Sequence, residues 1–201
     1  MQENGIEIVL DADQKLTPPI WQENSARLSL RYGRGPWHGV RTVRLFDDQL
    51  VPVCAPGLLK RAPMQTAAEL LDHQLLSVDW SSHQSGDFPG WKEWFEAAGV
   101  TGTSRLAHRQ YSLYSLALDQ AIAGHGVMLA TYPVVADRLE SGVLVRPFGE
   151  RYMLASPFTY DLILPSAGTA PPTVRKFLDW LIGTAQTFRK QMKGYPRPEG
   201  A

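Results

Sequence analysis

The stretch "YSLYSLALDQAIAGHGVMLATY" occupies residues 111–132 and joins a helix pattern to a strand pattern. Its apolar residues recur at helical spacing up to about Ala123, and Ser112 stands where a helix N-cap is expected. Gly124 and Gly126 end the predicted helix, and the apolar run "VMLAT" then predicts a buried strand. A helix that leads directly into a strand is the repeating unit of an α/β fold.

The same alternation continues on both sides of this stretch. Strands are predicted for "IEIVL" (6–10), "ARLSLRY" (26–32), "QLLSV" (74–78), "SRLAHRQ" (104–110), "VLVRPF" (143–148) and "YDLILP" (160–165). The segment 40–56 predicts two extended pieces, broken near Asp47 and Asp48. Helices are predicted for 57–61, 66–73, 91–100, 133–142 and 171–194, the last with an apolar stripe from Val174 to Phe188. The fold class is therefore predicted to be α/β.

Charge and composition limit the partners of the chain. Its 201 residues carry 20 basic and 20 acidic side chains, so the net charge is zero and strong binding of nucleic acid by this chain alone is not expected. No segment has the length of an apolar membrane span, and the first residues lack a signal-peptide pattern. The single cysteine, Cys54, excludes an internal disulfide. We expect a cytoplasmic protein with no membrane partner.

The loop "RYGRGPWHG" (31–39) is the first candidate binding segment. Gly33, Gly35 and Gly39 do not form the G-x-G-x-x-G pattern, and an extended segment follows them where a dinucleotide-binding loop would open a helix. The loop is either a turn that needs positive φ, with Trp37 packed on the core, or a rim whose backbone amides approach a ligand. Ser112 likewise either caps its helix or leaves amides free for an anion.

Catalytic and metal-binding patterns are not found in the sequence. The histidines, at positions 38, 73, 83, 108 and 125, do not have the spacing of a zinc site. Cys54 stands at the end of an apolar strand, where a buried thiol is inert. Asp47 and Asp48 are neighbours on a strand and face opposite ways, so they would not share a proton. We predict no enzyme activity, no metal and no cofactor.

Five segments in a fixed order carry a resemblance to a known family: "LSLRYGRGPWHG", "LFDDQLVPVCAPGLL", "YSLYSLALDQAIAGHGVMLA", "VADRLESGVLVRPFG" and "VRKFLDWL". Together, from about residue 6 to about residue 181, they resemble the effector-sensing part of LysR-type transcriptional regulators. The subgroup that they resemble includes the activators of glycine cleavage and of chromosomal β-lactamase.

The resemblance implies a fold similar to type 2 periplasmic binding proteins, with two α/β lobes, two crossover strands and a ligand cleft between the lobes. Lobe one is predicted to comprise residues 1–53 and 159–193, lobe two residues 54–158, and a tail residues 194–201. The chain would leave lobe one near Val53 and Cys54 and return near residues 156–160. The first β-α unit of lobe one is expected to be missing.

The resemblance also implies the residues of an effector site. They are Gly33, Arg34, Gly35 and Trp37 of the loop, Asp79 at a strand end, Tyr111 and Ser112 at a helix start, and Tyr160 of the returning strand. Arg34 could bind a carboxylate in bidentate fashion, and Ser112 with nearby amides could bind the other end of the molecule. An acidic or amino-acid-like effector is therefore expected.

A regulator of this kind would bind promoter DNA through an amino-terminal winged helix-turn-helix, which we expect to be absent from this chain. It would act as a homodimer or homotetramer. Two alternatives stay open on the same fold: a free-standing solute-binding protein of a transport system, and, third in order, an enzyme. An upstream helix-turn-helix would favour the regulator, and an upstream signal sequence would favour the transport protein.

Overall fold

Two long strands, Val40–Val53 and Leu154–Pro165, each contribute to two different parts of the fold. The computed structural model describes residues 7–10, 18–22, 25–80, 88–103, 106 and 108–191. The described residues up to Asp47, together with those from Phe158 onward, form a first unit, and Asp48–Pro157 form a second. Both boundaries fall within the long strands.

Strands and helices alternate along the described part of the chain, which confirms the predicted α/β class. The strands are β1 (Ile20–Trp21), β2 (Ala26–Arg27), β3 (Ser29–Gly33), β4 (Val40–Val53), β5 (Leu75–Val78), β6 (His108–Tyr111), β7 (Val127–Thr131) and β8 (Leu154–Pro165). The α-helices are α1 (Pro56–Arg61), α2 (Trp91–Ala97), α3 (Tyr114–Ile122), α4 (Tyr132–Glu140) and α5 (Pro172–Gln191), and Ala67–Asp72 form a 3-10 helix. None of these described helices has the length and apolarity to cross a lipid bilayer.

The first unit is a small sheet covered by one long helix. Strand β8 lies between β3 and β4, and β3 runs antiparallel to β8, with Ser29 opposite Ile163 and Gly33 opposite Thr159. The predicted apolar stripe of α5 is confirmed, because its residues pack into the core of this unit. That core contains Leu45, Leu162, Leu164, Leu178 and Ala185.

The second unit contains the parallel part of the sheet. Strand β5 lies between β7 and β6 and is parallel to both of them. Strand β4 pairs with the other edge of β7 in the antiparallel direction, with Leu50 opposite Thr131 and Val53 opposite Met128. The helix-to-strand unit that the sequence indicated between Tyr111 and Tyr132 is confirmed as α3 followed by β7.

Helix α2 supplies the aromatic core of the second unit. Trp91, Trp94 and Phe95 are buried against one another, as their helical spacing predicted. The Trp91 Nε1–H donates to the carbonyl oxygen of Leu76 at 3.0 Å, and the Trp94 Nε1–H donates to that of Tyr152 at 2.6 Å. Both indole groups therefore enter the core without leaving a buried donor unpaired, and each buried ring contributes on the order of 2–3 kcal/mol.

Four local predictions are wrong or incomplete. Residues 7–10 belong to no strand, and Ile8, Val9 and Leu10 are 44%, 82% and 92% exposed. An apolar run becomes a buried strand only where other strands pair with it, and no described strand pairs with this one; Ile6 lies outside the described residues. In place of the predicted strand 143–148, a single bridge joins Val145 to Cys54. Strand β6 begins only at position 108, and residues 104, 105 and 107 lie outside the described part.

The predicted break near Asp47 and Asp48 is also wrong, because β4 continues through both residues. Their side chains nevertheless face opposite ways, as expected for neighbours on a strand: Asp48 is buried and Asp47 is partly exposed. Two adjacent carboxylates resemble a turn signal in the sequence, but here each of them meets a different environment. The strand continues, and the border between the two units falls between the two residues.

Gly126 allows the start of β7 to approach the residue before β5. The Val127 backbone N–H donates to the Gln74 carbonyl oxygen at 2.9 Å, and a Cβ on Gly126 would lie 2.4 Å from the same oxygen. A distance this short to a backbone atom requires the strands to move apart. Glycine is therefore needed here for close packing, whereas α3 already ends at Ile122.

We expect Gly126→Ala to lower the free energy of unfolding by about 1–3 kcal/mol through this overpacking. Gly183→Ala is the matched control, because a Cβ in the middle of α5 meets nothing within 4 Å and alanine stabilises a helix interior by about 0.5–1 kcal/mol. Urea unfolding followed by tryptophan fluorescence measures both variants. A Gly126→Ala variant as stable as the wild type would contradict the close approach.

Candidate functional site

The carboxyl ends of the parallel strands meet at one edge of the second unit. Strands β5, β6 and β7 end at Val78, Tyr111 and Thr131, and the Asp79 backbone N–H donates to the Tyr111 carbonyl oxygen at 2.8 Å. Because β4 is antiparallel to β7, Asp48 lies near the same ends. We call this group the strand-end edge: Asp48, Asp79, Tyr111, Ser112, Tyr114 and Thr131. In open α/β sheets, ligands bind outside such ends.

Tyr114 ties the start of α3 to the end of β7. Its hydroxyl oxygen lies 3.2 Å from the Thr131 backbone nitrogen and 3.3 Å from the Thr131 Oγ1, and it accepts both hydrogen bonds. Its ring centroid is 6.4 Å from that of Trp80, which itself lies 4.6 Å from the ring of Phe88. Three aromatic residues, Trp80, Phe88 and Tyr114, thus pack together at the strand-end edge, and the Tyr114 hydroxyl is hydrogen-bonded to Thr131.

Burial raises the pKa of Tyr114 to about 12. The hydrogen bonds from Thr131 oppose this rise, and the negative charge of Asp48 adds to it. The phenol therefore stays neutral at any physiological pH. At the strand-end edge, negative charge comes from the Asp48 and Asp79 carboxylates and not from this hydroxyl.

Ser112 does not cap α3, so that interpretation of the sequence is wrong. The N-cap residue is Leu113, the cap position has no side-chain hydrogen bond, and Ser112 is exposed just before it. The first residue of the helix, Tyr114, is held by the hydrogen bonds between its hydroxyl and Thr131. The Ser112 hydroxyl and the first amides of α3 are therefore not used by a capping bond.

The loop between β3 and β4, residues 34–39, is shaped by its glycines in the first unit. We call residues 33–39 the glycine loop. Gly35 and Gly39 have φ values of 54° and 73°, which favour glycine, and a Cβ on Gly33 would lie 2.8 Å from the Trp37 ring. The positive φ values and the packed tryptophan match the turn interpretation. Arg34 is exposed within the loop, so its side chain can still meet a ligand.

Trp37 is held by a buried carboxylate of β8. Its Nε1–H donates to Asp161 Oδ2 at 2.8 Å, and the Arg31 guanidinium lies 5.2 Å from the centre of its ring. Thr159 Oγ1 donates to the same Asp161 oxygen at 2.8 Å, and Arg44 Nε lies 3.5 Å from Asp161 Oδ1. The Asp161 side chain thus connects the glycine loop to β8, on which it stands, and to β4 through Arg44.

Tyr160 lies on the other face of β8 from this carboxylate. Neighbouring residues of a strand point to opposite faces, and the Tyr160 ring packs against Tyr32 at 4.5 Å and Phe46 at 6.3 Å. The structure thus brings Gly33, Gly35 and Trp37 together in the first unit, with Tyr160 in a separate aromatic group. In the second unit it brings Asp79, Tyr111 and Ser112 together at the strand-end edge.

Several polar residues of these two places were not among the candidates from the sequence: Asp48, Tyr114, Thr131, Thr159 and Asp161. A usable signal existed for Asp161, which is a single carboxylate inside the apolar strand "FTYDLILP". A charge at such a position must be paired when it is buried. Nothing in the sequence indicates its partner, because Trp37 lies far away along the chain.

The chemistry of nucleophiles and metals is not supported by the described residues. Burial raises the pKa of the Cys54 thiol to about 12, so it is protonated and unreactive at neutral pH. Within the described part of the chain, no group of three His, Cys, Asp or Glu residues could hold a metal ion. The arrangement that is present, polar groups at the ends of parallel strands, is that of a small-ligand-binding α/β domain.

Comparison with known proteins identifies the family. The family model described as "LysR substrate binding domain" matches residues 13–186. The chain belongs to this family, the effector-binding domains of LysR-type transcriptional regulators, and the resemblance seen in the sequence is confirmed.

The relatives of the chain are transcriptional activators. It is 35% identical over 158 residues to the HTH-type transcriptional activator AmpR of Pseudomonas aeruginosa, covering 78% of this chain and 49% of that protein. It is 28% identical over 170 residues to the glycine cleavage system transcriptional activator of Escherichia coli K12, covering 83% of this chain and 52% of that protein. The chain therefore spans about half the length of the curated relatives it matches.

Solved structures agree with the family. The effector domain of the transcriptional regulator AmpR of Pseudomonas aeruginosa matches with a TM-score of 0.62 at 27% identity, covering 80% of this chain and 72% of that one. The AmpR effector binding domain of Citrobacter freundii also has a TM-score of 0.62, at 24% identity, and supports the fold. With relatives named as activators, the alternative of a transport solute-binding protein is not supported.

We expect the stability of the wild type to fall with pH above about 10 more steeply than that of Tyr114→Phe. The unfolded tyrosine loses its proton near pH 10 and the folded one near pH 12, so rising pH favours unfolding within this window. The tyrosine accounts for about 2–3 kcal/mol of this loss in the free energy of unfolding. Below pH 10 the tyrosine is protonated in both states, and none of this stability is lost. Urea midpoints at pH 8 and pH 12 for both proteins measure it; equal losses would contradict the assignment.

Proposed function

We propose that this chain is the effector-sensing domain of a DNA-binding transcriptional regulator and that it has no enzyme activity. The match of the family model to residues 13–186 is the observation that carries the proposal. The names of the relatives, which are transcriptional activators, support the regulatory role. Promoter DNA is bound by a helix-turn-helix part of the regulator, outside the region that the chain shares with these relatives.

The proposed effector is a small carboxylate or amino-acid-like molecule. Arg34 binds its carboxylate, a pairing that the planar guanidinium makes with two parallel hydrogen bonds. Ser112 and the first amides of α3 bind its other polar groups. Two observations support these roles: Arg34 is exposed in the glycine loop, and Ser112 is not used as a helix cap.

The charges of the strand-end edge favour an effector that also carries a positive group. Asp79 stands at the end of β5 and Asp48 is buried beside the same strand ends, while Tyr114 stays neutral. A carboxylate at the strand-end edge can pair with the ammonium group of an amino acid, which a dianion such as succinate lacks. The remaining lining residues are Gly33, Gly35, Trp37, Tyr111 and Tyr160.

Effector binding is proposed to change the arrangement of the two lobes and, through it, the geometry of a homodimer or homotetramer on DNA. A ligand shifts such an equilibrium only by the difference between its affinities for the two states. The regulator acts in the cytoplasm, where promoter DNA and small metabolites are both available. No cofactor or metal takes part in this proposal.

The proposal predicts that an amino acid raises the thermal unfolding temperature of the chain and that Arg34→Ala abolishes the rise. Glycine, L-glutamate and succinate are tested separately, and succinate, which has no ammonium group, is expected to have the smallest effect. Arg27→Ala is the matched control, because Arg27 is an exposed arginine of the same unit outside the glycine loop. Stabilisation that persists in Arg34→Ala would overturn the role of this guanidinium.

A further inference from the structure

Asp161 occupies a position on β8 that an apolar residue would normally fill. It is 2% exposed and stands between Tyr160 and Leu162, with Leu162 packed in the core under α5. Its cross-strand partner on β3 is Arg31, and the Arg44 guanidinium approaches it from β4. Burying a carboxylate costs several kcal/mol unless donors and counter-charges surround it. This chain therefore maintains a costly group on β8, the strand that lies between β3 and β4.

The carboxylate directs its best hydrogen bonds toward the glycine loop. Oδ2 accepts from Trp37 Nε1 at 2.8 Å and from Thr159 Oγ1 at 2.8 Å, both at the distance of strong hydrogen bonds to a charged acceptor. Thr159 Oγ1 also lies 3.3 Å from the Gly33 carbonyl oxygen, so the same hydroxyl touches the first residue of the loop. Arg44 Nε, at 3.5 Å from Oδ1, supplies the counter-charge.

The loop has flexible positions on both sides of Pro36. Gly35 and Gly39 give the backbone more freedom there than other residues would, whereas Pro36 fixes its own φ and Gly33 is paired with Thr159 in β3. The Trp37 ring packs against Gly33, where a Cβ would come within 2.8 Å of it, and the Arg31 guanidinium lies over the ring, 5.2 Å from its centre. The indole can hold this place only if its polar edge is paired, and Asp161 is the residue that pairs it.

We propose that Asp161 is the positioning residue of the glycine loop: its buried carboxylate fixes the Trp37 indole over Gly33 and so sets the place of Arg34. The anchoring of Trp37 stands on the contacts of the first unit, whereas its effect on effector binding rests on the proposed function. A purely structural Asp161 would stabilise the whole unit without a particular effect on the loop. The two roles differ in where hydrogen exchange increases when the carboxylate is removed.

The first experiment measures exchange of the tryptophan indole protons by NMR, in protein carrying ¹⁵N-labelled tryptophan, with Trp37→Phe used to identify the Trp37 signal. In Asp161→Ala we expect the Trp37 indole to exchange at least about tenfold faster, as loss of a hydrogen bond to a charged group implies. Asp161→Asn, which keeps an acceptor oxygen without the charge, is expected to lie between Asp161→Ala and wild type. The backbone amide of Trp180, inside α5 and labelled in the same sample, reports unfolding of the first unit. The Trp91 indole, bonded to Leu76, reports unfolding of the second unit.

Trypsin cleavage after Arg34 gives a second measure of the same loop. The peptide that ends at Arg34 is expected to appear faster from Asp161→Ala than from wild type under native conditions. Asp179→Asn is the matched control, because Asp179 is an exposed aspartate of α5 in the same unit. Unchanged Trp37 exchange in Asp161→Ala would overturn the proposal, and so would an equal rise at the Trp180 amide of α5, which would show destabilisation of the whole first unit.

The effector arm uses calorimetric titration of wild type, Asp161→Asn, Trp37→Phe and the double variant with L-glutamate. If Asp161 acts through Trp37, each single variant weakens binding and the double variant binds no more weakly than Trp37→Phe alone. If the losses of binding free energy in the two single variants add up in the double variant, Asp161 does not act through Trp37. Wild type that binds none of glycine, L-glutamate and succinate would count against the proposed function, while the exchange and cleavage results would still decide the anchoring of Trp37.

Discussion

Strand β7 hydrogen-bonds to β5 in the parallel direction and to β4 in the antiparallel direction, and the second unit depends on this pair of contacts. Parallel pairing places the carboxyl ends of β5, β6 and β7 at one edge. Antiparallel pairing brings the part of β4 around Asp48 to the same edge. The polar groups of that edge come from segments far apart in the sequence. Gly126 makes the pairing possible, because only glycine lets the backbone pass so close to Gln74.

The parts of the fold that sequence patterns predicted are those whose determinants are local. Helix α3, the glycines after it and β7 follow one another within a short segment, and the stripe of α5 needs only the period of a helix. Residues 7–10 show the limit of this reasoning, because their apolar side chains indicate burial but cannot specify what covers them. Asp47 and Asp48 show it again: two adjacent charges suggested a break, whereas tertiary contacts keep β4 extended through them.

The sequence predicted which loop and strand ends carry the candidate site residues. It did not predict the side chains that hold these segments in place. The family pattern indicated Trp37, Asp79 and Ser112, and the structure adds the residues that hold their segments in place. Tyr114 fixes the start of α3 through Thr131, and Asp161 pairs with the Trp37 indole. Hydrogen bonds between residues distant in sequence leave no periodic trace, so an isolated polar residue in an apolar segment is the only sign of them.

The division of the chain between the two units has a consequence for its synthesis. Within the described residues, the second unit is one uninterrupted segment, Asp48–Pro157, whereas the first is assembled from segments on either side of it. On the ribosome, the described segment of the second unit is therefore available before the rest of β8 and α5 have been translated, and only then can the sheet of the first unit close. Although it begins earlier in the chain, the first unit is completed last. During translation, β3 and the glycine loop therefore have no β8 to pair with until the strand that contains Asp161 has been made.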